Sequence, residues 1–321
     1  MFKSDSNPPN RRDFLKIASA ASAAAVSNLP QAAFAAEQDV DPASGYVDAH
    51  SHIWTRSVDE YPLAEGQTVD DLQPPSFTAE ELLETARPHG VTRVVLIQHK
   101  TYHGVDNSYI TDTIAKYPGV FSGVACIEAE ADHPDQEMSR LKKLGIRGFR
   151  IRPGEGGADR WAESDGMNTM WAYAADTGLA ICPLIDAEYI PQVSEMCEMY
   201  PETTVVVDHF ARIGIDGEMR EPDLKALAAL ASHENVHVKI SAYYALGKKR
   251  PPYTDLIPMI RRMYDAYGAE RLMWASDCPY QLTGDNTYGD SVELVTERID
   301  FLSAEETDWV MRKTADKVYF S

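Results

Sequence analysis

The chain has few basic residues for its length, and this shortage excludes several classes of function. Its 321 residues contain 30 Lys and Arg against 50 Asp and Glu, which gives a formal net charge of −20. So acidic a surface repels nucleic acid and anionic membranes. The 4 cysteines are too few for a disulfide scaffold in a chain of this size. Nucleic-acid binding is therefore excluded, and no disulfide framework is expected.

The N-terminus carries an apolar run behind a pair of arginines, and the run is too short to span a membrane. Arg11 and Arg12 precede an Ala-rich apolar segment over residues 17–29, and small residues around 33–35 suit cleavage. This pattern predicts a twin-arginine export signal over residues 1–35. The alternative for the same segment is an amphipathic N-terminal helix.

The predicted signal sets the expected organisation and location of the protein. Residues 36–45 would form a linker and residues 46–321 a single domain, because no Pro/Ser linker, charge block or internal repeat divides the later chain. We expect the protein to engage the twin-arginine export machinery, to reside in the periplasm and to make no stable membrane insertion. The sequence leaves the oligomeric state open.

Short apolar segments alternate with amphipathic ones from residue 46 onward. Near-continuous runs such as RVVLIQ and TVVVDH are typical of parallel strands covered on both faces. Eight β/α units in about 275 residues predict an α/β fold, a single (β/α)8 TIM barrel. A doubly wound nucleotide-binding fold is excluded, because the glycine cluster RPGEGGADR lacks the G-x-G-x-x-G spacing. The predicted strands are 46–52, 92–99, 120–128, 146–152, 179–186, 204–210, 236–243 and 271–277.

Short motifs mark the boundaries of the helices between these strands. TAEE at 78–81 and SAEE at 303–306 are capping boxes, which start a helix. Four helices are expected to end at a glycine in the left-handed conformation just before the next strand, at Gly90, Gly145, Gly178 and Gly268.

The first predicted strand, VDAHSHIW, sets three polar side chains into an apolar run. Asp48, His50 and His52 alternate along it, so we expect them to share one face. Burying a carboxylate and two imidazoles is costly unless something pairs with them. In a TIM barrel, catalytic residues gather at the C-terminal ends of the strands. Other strands end in further polar residues: His99, Lys100, Arg150, Arg152, His209, Tyr243 and Asp277.

These motifs resemble the amidohydrolase superfamily over essentially the whole mature chain. VDAHSHIW, GFRIRP, VVVDHFAR and LMWASDCPY are most similar to its branch of TIM-barrel metal-dependent hydrolases. That branch includes lactonases acting on 2-pyrone-4,6-dicarboxylate and on sugar lactones, and a neighbouring group contains nonoxidative decarboxylases. An HxH pair alone is a weak signal. Its combination with DH on the sixth strand and SDxP on the eighth is specific.

The resemblance implies roles for four of the polar residues. His50, His52 and Asp277 match metal ligands of the superfamily, and zinc is the expected divalent ion. Asp277 also matches the carboxylate that handles the proton of the attacking water, and His209 matches a later catalytic histidine.

Two departures from the superfamily pattern argue against a binuclear centre. Arginines stand near the place of the metal-bridging lysine on the fourth strand, and Cys182 replaces a histidine often found on the fifth. One divalent metal is therefore expected. Metal-free activity is the open alternative, in which the histidines would polarise the substrate carbonyl and Asp277 alone would activate water.

The expected function is hydrolysis of a small cyclic ester, a sugar-acid or carboxylated lactone. Arginine can hold a substrate carboxylate through two hydrogen bonds, which gives the positive residues near the mouth a role. The alternatives are a metal-dependent nonoxidative decarboxylase and a non-catalytic exported binding barrel. The predicted substrate-binding residues are Arg150, Arg152, His99, Lys100 and Tyr243.

Overall fold

The computed structural model describes residues 41–154, 157–158 and 160–321. The predicted export signal over 1–35 lies outside these residues, as does the first half of the predicted linker. Of that linker, residues 41–45 are described and contain a short 3-10 turn at Pro42–Ser44. Within the described ranges, no helix combines the length and the apolar character needed to cross a membrane.

Eight parallel strands form one sheet in the order β1 to β8, which confirms the predicted TIM barrel. Each strand pairs with the next one along the chain, so every connection is a crossover that carries helix on the outside of the barrel. The strands are β1 Tyr46–Ser51, β2 Val91–Ile97, β3 Phe121–Ala125, β4 Ile146–Ile151, β5 Ala180–Pro183, β6 Thr204–Val207, β7 Val236–Ile240 and β8 Leu272–Trp274.

The helices surround this barrel, and most of their predicted boundary motifs are present. Both capping boxes form, at Thr78 and Ser303. Gly90 and Gly178 are left-handed, with φ of 78° and 69°, and Gly145 also has a positive φ. The prediction is wrong for Gly268, whose ψ of 168° lies outside the left-handed helical region and which a 3-10 turn separates from β8. The α-helices are α1 Ala79–Ala86, α2 Lys100–His103, α3 Ser108–Lys116, α4 Pro134–Lys143, α5 Asp165–Thr177, α6 Ile190–Met199, α7 Glu221–Ala229, α8 Ile257–Tyr267, α9 Tyr288–Glu293, α10 Ala304–Asp308 and α11 Thr314–Tyr319.

The interior of the barrel is filled by small and branched side chains, and its lower end is closed by the last helix. Residues such as Val47, Ala49 and Val206 form this inner cluster, and Tyr319 of α11 packs into it. The Tyr319 hydroxyl lies 3.4 Å from the thiol of Cys182 on β5. Cys182 is therefore a packing residue at the barrel floor. All four cysteines are buried with free thiols.

The barrel closes between β1 and the segment that follows the short strand β8. The amide of His52 donates to the carbonyl of Cys278 at 2.7 Å, and the amide of Asp277 donates to the carbonyl of His50 at 2.8 Å. Asp48 strengthens the same seam, because its carboxylate accepts hydrogen bonds from the amide and hydroxyl of Ser276.

The prediction that Asp48 shares a face with His50 and His52 is wrong. The pairing of β1 with β2 shifts in register between Asp48 and Ser51, and this irregularity breaks the simple alternation of side chains. Asp48 faces the outside of the barrel, where it accepts a hydrogen bond from Tyr288 of α9, whereas both histidines face the mouth.

Candidate active site

Three strands bring the predicted catalytic side chains together at the C-terminal end of the barrel. His50 and His52 come from β1, and their Nε2 atoms lie 3.3 Å apart. Asp277, which follows β8, places Oδ1 at 3.4 Å from each of these nitrogens. His209, which follows β6, has its Nε2 at 3.8 Å from Asp277 Oδ2. The four side chains form a single buried cluster.

Two of these residues reach the cluster through unusual backbone conformations. His209 begins a run of four residues with positive φ, from 52° at His209 to 55° at Arg212, and Asp277 has a φ of 62°. Non-glycine residues rarely adopt this region, and such strain concentrates at functional sites. The predicted strands 204–210 and 271–277 end earlier than expected for this reason, at Val207 and Trp274. The backbone leaves the sheet in order to direct His209 and Asp277 inward.

Hydrogen bonds outside the cluster orient the imidazoles. His52 Nδ1 lies 2.8 Å from the carbonyl oxygen of Ile97. A carbonyl can only accept, so Nδ1 carries the proton and the lone pair of Nε2 faces Asp277 and His50. His209 Nδ1 lies 2.7 Å from the hydroxyl of Ser241, which leaves its Nε2 toward Asp277. Both rings thus present a nitrogen to the centre of the site.

Burial keeps these imidazoles neutral. It is the largest cause that lowers the pKa of His50 well below its usual value and the pKa of His52 to about 3, and nearby positive side chains add to the effect. Burial also lowers the pKa of His209. Neutral imidazoles are the form that binds a metal ion or accepts a proton.

Asp277 is held by Tyr244, the neighbour of the predicted substrate-binding residue Tyr243. The hydroxyl of Tyr244 donates to Asp277 Oδ2 at 2.7 Å. This contact fixes the carboxylate so that Oδ1 faces His50 and His52. Burial raises the pKa of Asp277, whereas His209 and the Tyr244 hydrogen bond lower it.

A buried group of charges lies directly beneath the cluster. Asp208 Oδ2 accepts a hydrogen bond from Arg150 Nη2 at 2.9 Å, and Asp208 Oδ1 lies 3.1 Å from Lys239 Nζ. Burial alone would raise the pKa of Asp208, but Lys239 and Arg150 hold it well below its usual value. The same Arg150 Nη2 donates to His50 Nε2 at 2.9 Å. Arg150 is thus committed to Asp208 and His50.

The site contains a donor set that fits a divalent metal ion. His50, His209 and Asp277 each offer a ligand atom, and these atoms all lie within 4.8 Å of one another. Two neutral imidazoles and a carboxylate are a common ligand set for catalytic zinc, which keeps an open position for water. His52 Nε2 is close enough to His50 and Asp277 to join the set. The residues present therefore fit a mononuclear site, in which His209 joins the predicted ligands His50 and Asp277.

A cleft of about 1080 Å³ opens at the ends of β3 and β4, and Arg150, which contacts His50 of the cluster, is one of its lining residues. Arg152 and Lys100 line it together with acidic side chains from the segment before α4, such as Glu128. Arg152 and Lys100 are both exposed and, within the described part of the chain, neither side chain makes a hydrogen bond or ion pair. These two cations are available to an anionic ligand.

The remaining predicted substrate contacts have different environments. His99 is buried, and its ring bonds to the amide of Tyr102 and the hydroxyl of Tyr280 on the wall of the mouth. Tyr243 is fully buried, and its hydroxyl donates to the carbonyl of Ile240 at 2.9 Å. That placement removes Tyr243 from the candidate substrate contacts. The neighbouring Tyr244 reaches the site because the chain turns at Ala242, which has a φ of 57°.

The chain belongs to the amidohydrolase family, whose model matches residues 47–320. This match confirms the predicted superfamily and identifies the protein as an enzyme of that superfamily. The matched region runs from β1 to the residue after α11, so the family resemblance and the barrel have the same extent.

Particular relatives are similar in sequence or in fold. The chain is 27% identical over 235 residues to an L-fucono-1,5-lactonase of Burkholderia ambifaria, covering 73% of this chain and 80% of the relative. It is 24% identical over 266 residues to a 4-sulfomuconolactone hydrolase of Hydrogenophaga intermedia, covering 82% and 84%. A zinc-bound amidohydrolase structure from Burkholderia multivorans superposes with a TM-score of 0.73 at 19% identity, covering 86% of this chain and 99% of that one.

Proposed function

We propose that this protein hydrolyses a small lactone that carries a carboxylate or a similar anionic group. The observation that carries the proposal is the buried carboxylate of Asp277, whose Oδ1 faces two neutral imidazoles at 3.4 Å beside a cleft with unpaired cations. Two relatives that are lactone hydrolases support it. Both act on substrates with a cyclic ester bond, which is the bond this site is arranged to attack.

Asp277 is the proposed general base of the reaction. Its Oδ1 takes one proton from a water molecule as the water oxygen attacks the lactone carbonyl carbon. The ring C–O bond then breaks, and Asp277 returns the proton to the departing alkoxide oxygen. The product is a hydroxy acid, whose new carboxyl group ionises in water. Tyr244 keeps Oδ2 occupied throughout, so that Oδ1 does the proton transfer.

A metal ion, which we propose to be zinc, would be held by His50, His209 and Asp277, with His52 adjacent. When bound, it would polarise the lactone carbonyl and lower the pKa of the attacking water. The neutral imidazoles and the zinc-bound fold relative support this assignment. Metal analysis of protein purified without chelators or added metal tests it, and about one zinc per chain is expected.

Arg152 and Lys100 are the proposed binding groups for the substrate anion. Arg150 is excluded from this role, because it is buried and its Nη2 bonds to Asp208 and His50. We expect Arg152→Met to raise KM for a carboxylated lactone about tenfold while kcat changes little, since the lost contact is remote from the reacting bond. An equal loss with a neutral lactone would contradict this assignment.

The test of the function is a panel of lactones that includes L-fucono-1,5-lactone, 4-sulfomuconolactone and 2-pyrone-4,6-dicarboxylate. Each is incubated with the wild type and with Asp277→Asn, and ring opening is followed by acid release. Turnover lost in Asp277→Asn supports the proposal. Carbon dioxide release from a carboxylic acid, without ring opening, would favour a decarboxylase, and binding without turnover would favour a binding barrel.

We also propose that the protein is exported to the periplasm by the twin-arginine machinery. The support is the pair Arg11-Arg12 ahead of an Ala-rich apolar segment. Replacing both arginines with lysine should retain the protein in the cytoplasm of a fractionated cell. A periplasmic double-lysine variant would overturn the proposal.

A further inference from the structure

The position of Arg150 bears on how tightly the site can hold a metal ion. Its Nη2 donates to His50 Nε2 at 2.9 Å, and His50 Nε2 is the nitrogen that faces Asp277. A nitrogen that accepts a hydrogen bond from a guanidinium has no lone pair left for a metal ion. The positive charge of Arg150 also repels a divalent cation at the same place.

Two buried atoms next to this contact have no hydrogen-bond partner and would gain one if Arg150 turned. Its Nε is buried without a hydrogen-bond partner, and so is Oδ1 of Asp208, although Lys239 Nζ lies 3.1 Å from that oxygen. Buried polar atoms without partners are uncommon and costly. A guanidinium turned fully toward Asp208 would pair both atoms in a bidentate contact and would release His50 Nε2.

We infer that Arg150 is a built-in competitor for the metal ion at His50. In one arrangement the guanidinium occupies His50 Nε2. In the other it pairs with Asp208 through two hydrogen bonds, and His50 is free to bind the ion. Asp208 Oδ1 also lies 3.4 Å from His50 Nδ1, so Asp208 can orient that ring in the metal-bound arrangement, as carboxylates do for histidine ligands. Metal affinity is therefore lowered by the free energy needed to move Arg150.

The inference rests on the metal part of the proposed function, and the test separates the two. Zinc affinity is measured by titration against a chromophoric chelator at fixed pH for the wild type, Arg150→Met and Arg152→Met. We expect Arg150→Met to bind zinc at least tenfold more tightly than the wild type. Arg152→Met is the matched control, because it removes the same charge two residues further along the chain, just after β4, without a contact to His50. Its zinc affinity should change far less.

Each outcome of the titration has a definite meaning. Tighter zinc binding in Arg150→Met, without a similar change in Arg152→Met, supports the competition. This holds even if the wild type retains no zinc on purification. Equal tightening in both variants would show only a general charge effect and would overturn the inference. An Arg150→Met affinity equal to that of the wild type would also overturn it. Lactone hydrolysis by zinc-free protein is assayed separately, so a failure of zinc binding is not confused with a failure of the hydrolase assignment.

A structural measurement on the wild type decides the matter if Arg150→Met does not fold. Crystals of the wild type are grown with zinc and with chelator. With zinc, we expect His50 Nε2 to bind the ion at about 2.0–2.1 Å and the guanidinium to have left that nitrogen for Asp208. Zinc bound in the site with Arg150 Nη2 still bonded to His50 Nε2 would overturn the inference.

Discussion

Two buried carboxylates lie on either side of the barrel seam, and their surroundings differ in kind. Asp48 of β1 accepts hydrogen bonds from the amides of His50 and Ser276 and from the hydroxyls of Ser51, Ser276 and Tyr288. Asp277 accepts one from Tyr244 on Oδ2, and its Oδ1 instead faces imidazole nitrogens at 3.4 Å. Burial raises the pKa of both carboxyl groups.

The difference separates a structural carboxylate from the proposed general base. Donors surround both oxygens of Asp48, so the group is satisfied within the fold and joins β1 to the segment after β8. In Asp277, Oδ2 accepts a hydrogen bond from Tyr244, whereas Oδ1 faces the imidazoles of His50 and His52. Oδ1 can therefore accept a proton or bind a metal ion. Burial alone would not have distinguished them, because Asp48 is 0% and Asp277 only 5% exposed.

The largest expected effect is on the reaction itself, through Asp277→Asn. An amide cannot accept the proton of the attacking water, so kcat on an identified lactone should fall about 1,000-fold, or ~4 kcal/mol on the barrier. The thermal unfolding midpoint should change little, because the amide can still accept from Tyr244. Steady-state kinetics and calorimetry measure the two quantities. Full activity in Asp277→Asn would refute the proposed base.

The matched change on the structural side is Asp48→Asn. The new NH2 group cannot accept a hydrogen bond. It takes the place either of the oxygen that accepts from three hydroxyls or of the oxygen that accepts from two backbone amides. The free energy of unfolding should therefore fall by about 2–3 kcal/mol. Urea unfolding measures this loss. Protein that remains folded should keep a kcat within about threefold of the wild type. A thousandfold loss of kcat without loss of stability would reverse the two assignments.

Acid should destabilise the protein through the Asp277 side of the seam, where the imidazoles lie. The folded state holds the pKa of His52 at about 3, mainly by burial, against about 6.5 in an unfolded chain. At a pH between these two pKa values, His52 is protonated in the unfolded state and neutral in the folded state. Stability is therefore fully present above pH 6.5 and falls as pH is lowered toward 3, by up to about 1.4 kcal/mol per pH unit for this residue.

Urea unfolding at pH 7.5 and 5.5, with a chelator present, measures that acid sensitivity. In His52→Asn the loss of stability between the two pH values should be smaller than in the wild type by about 1 kcal/mol. His133→Asn is the control, because that imidazole is exposed. The donors to Asp48 are hydroxyls and amides, which do not titrate in this range. An unchanged slope in His52→Asn would show that His52 is not held neutral.

The sequence predicted the barrel and most of the site, because both depend on local patterns. Eight apolar runs mark eight strands, and the polar residues that end them lie at one end of a parallel barrel whatever the loops do. His50, His52, His209 and Asp277 converge for that reason. Their roles in catalysis and metal binding stay predictions.

What the sequence could not predict depends on departures from regular geometry. The register shift in β1 sends Asp48 to the opposite side from His50, and alternation gives no sign of it. The left-handed turn at Ala242 exchanges the roles of two adjacent tyrosines, so that Tyr243 is buried and Tyr244 reaches Asp277. Arg150 and Arg152 look equivalent in GFRIRP. The position of Asp208 distinguishes them, because Asp208 forms an ion pair with Arg150 and leaves the side chain of Arg152 free to bind a substrate anion.

The smallest expected effects come from the two tyrosines that donate to the two carboxylates. Tyr244 donates to Asp277 Oδ2 at 2.7 Å and Tyr288 donates to Asp48 Oδ2 at 2.9 Å. Tyr244→Phe frees Asp277 to rotate, so kcat should fall about fivefold while stability stays within about 0.5 kcal/mol. Tyr288→Phe removes a donor from a satisfied network, so the free energy of unfolding should fall by about 1 kcal/mol with kcat unchanged. Kinetics and urea unfolding on both variants test the pair. Each phenylalanine deletes one hydroxyl and nothing else. If both replacements changed kcat and the free energy of unfolding by the same amounts, the two carboxylates would not differ in function.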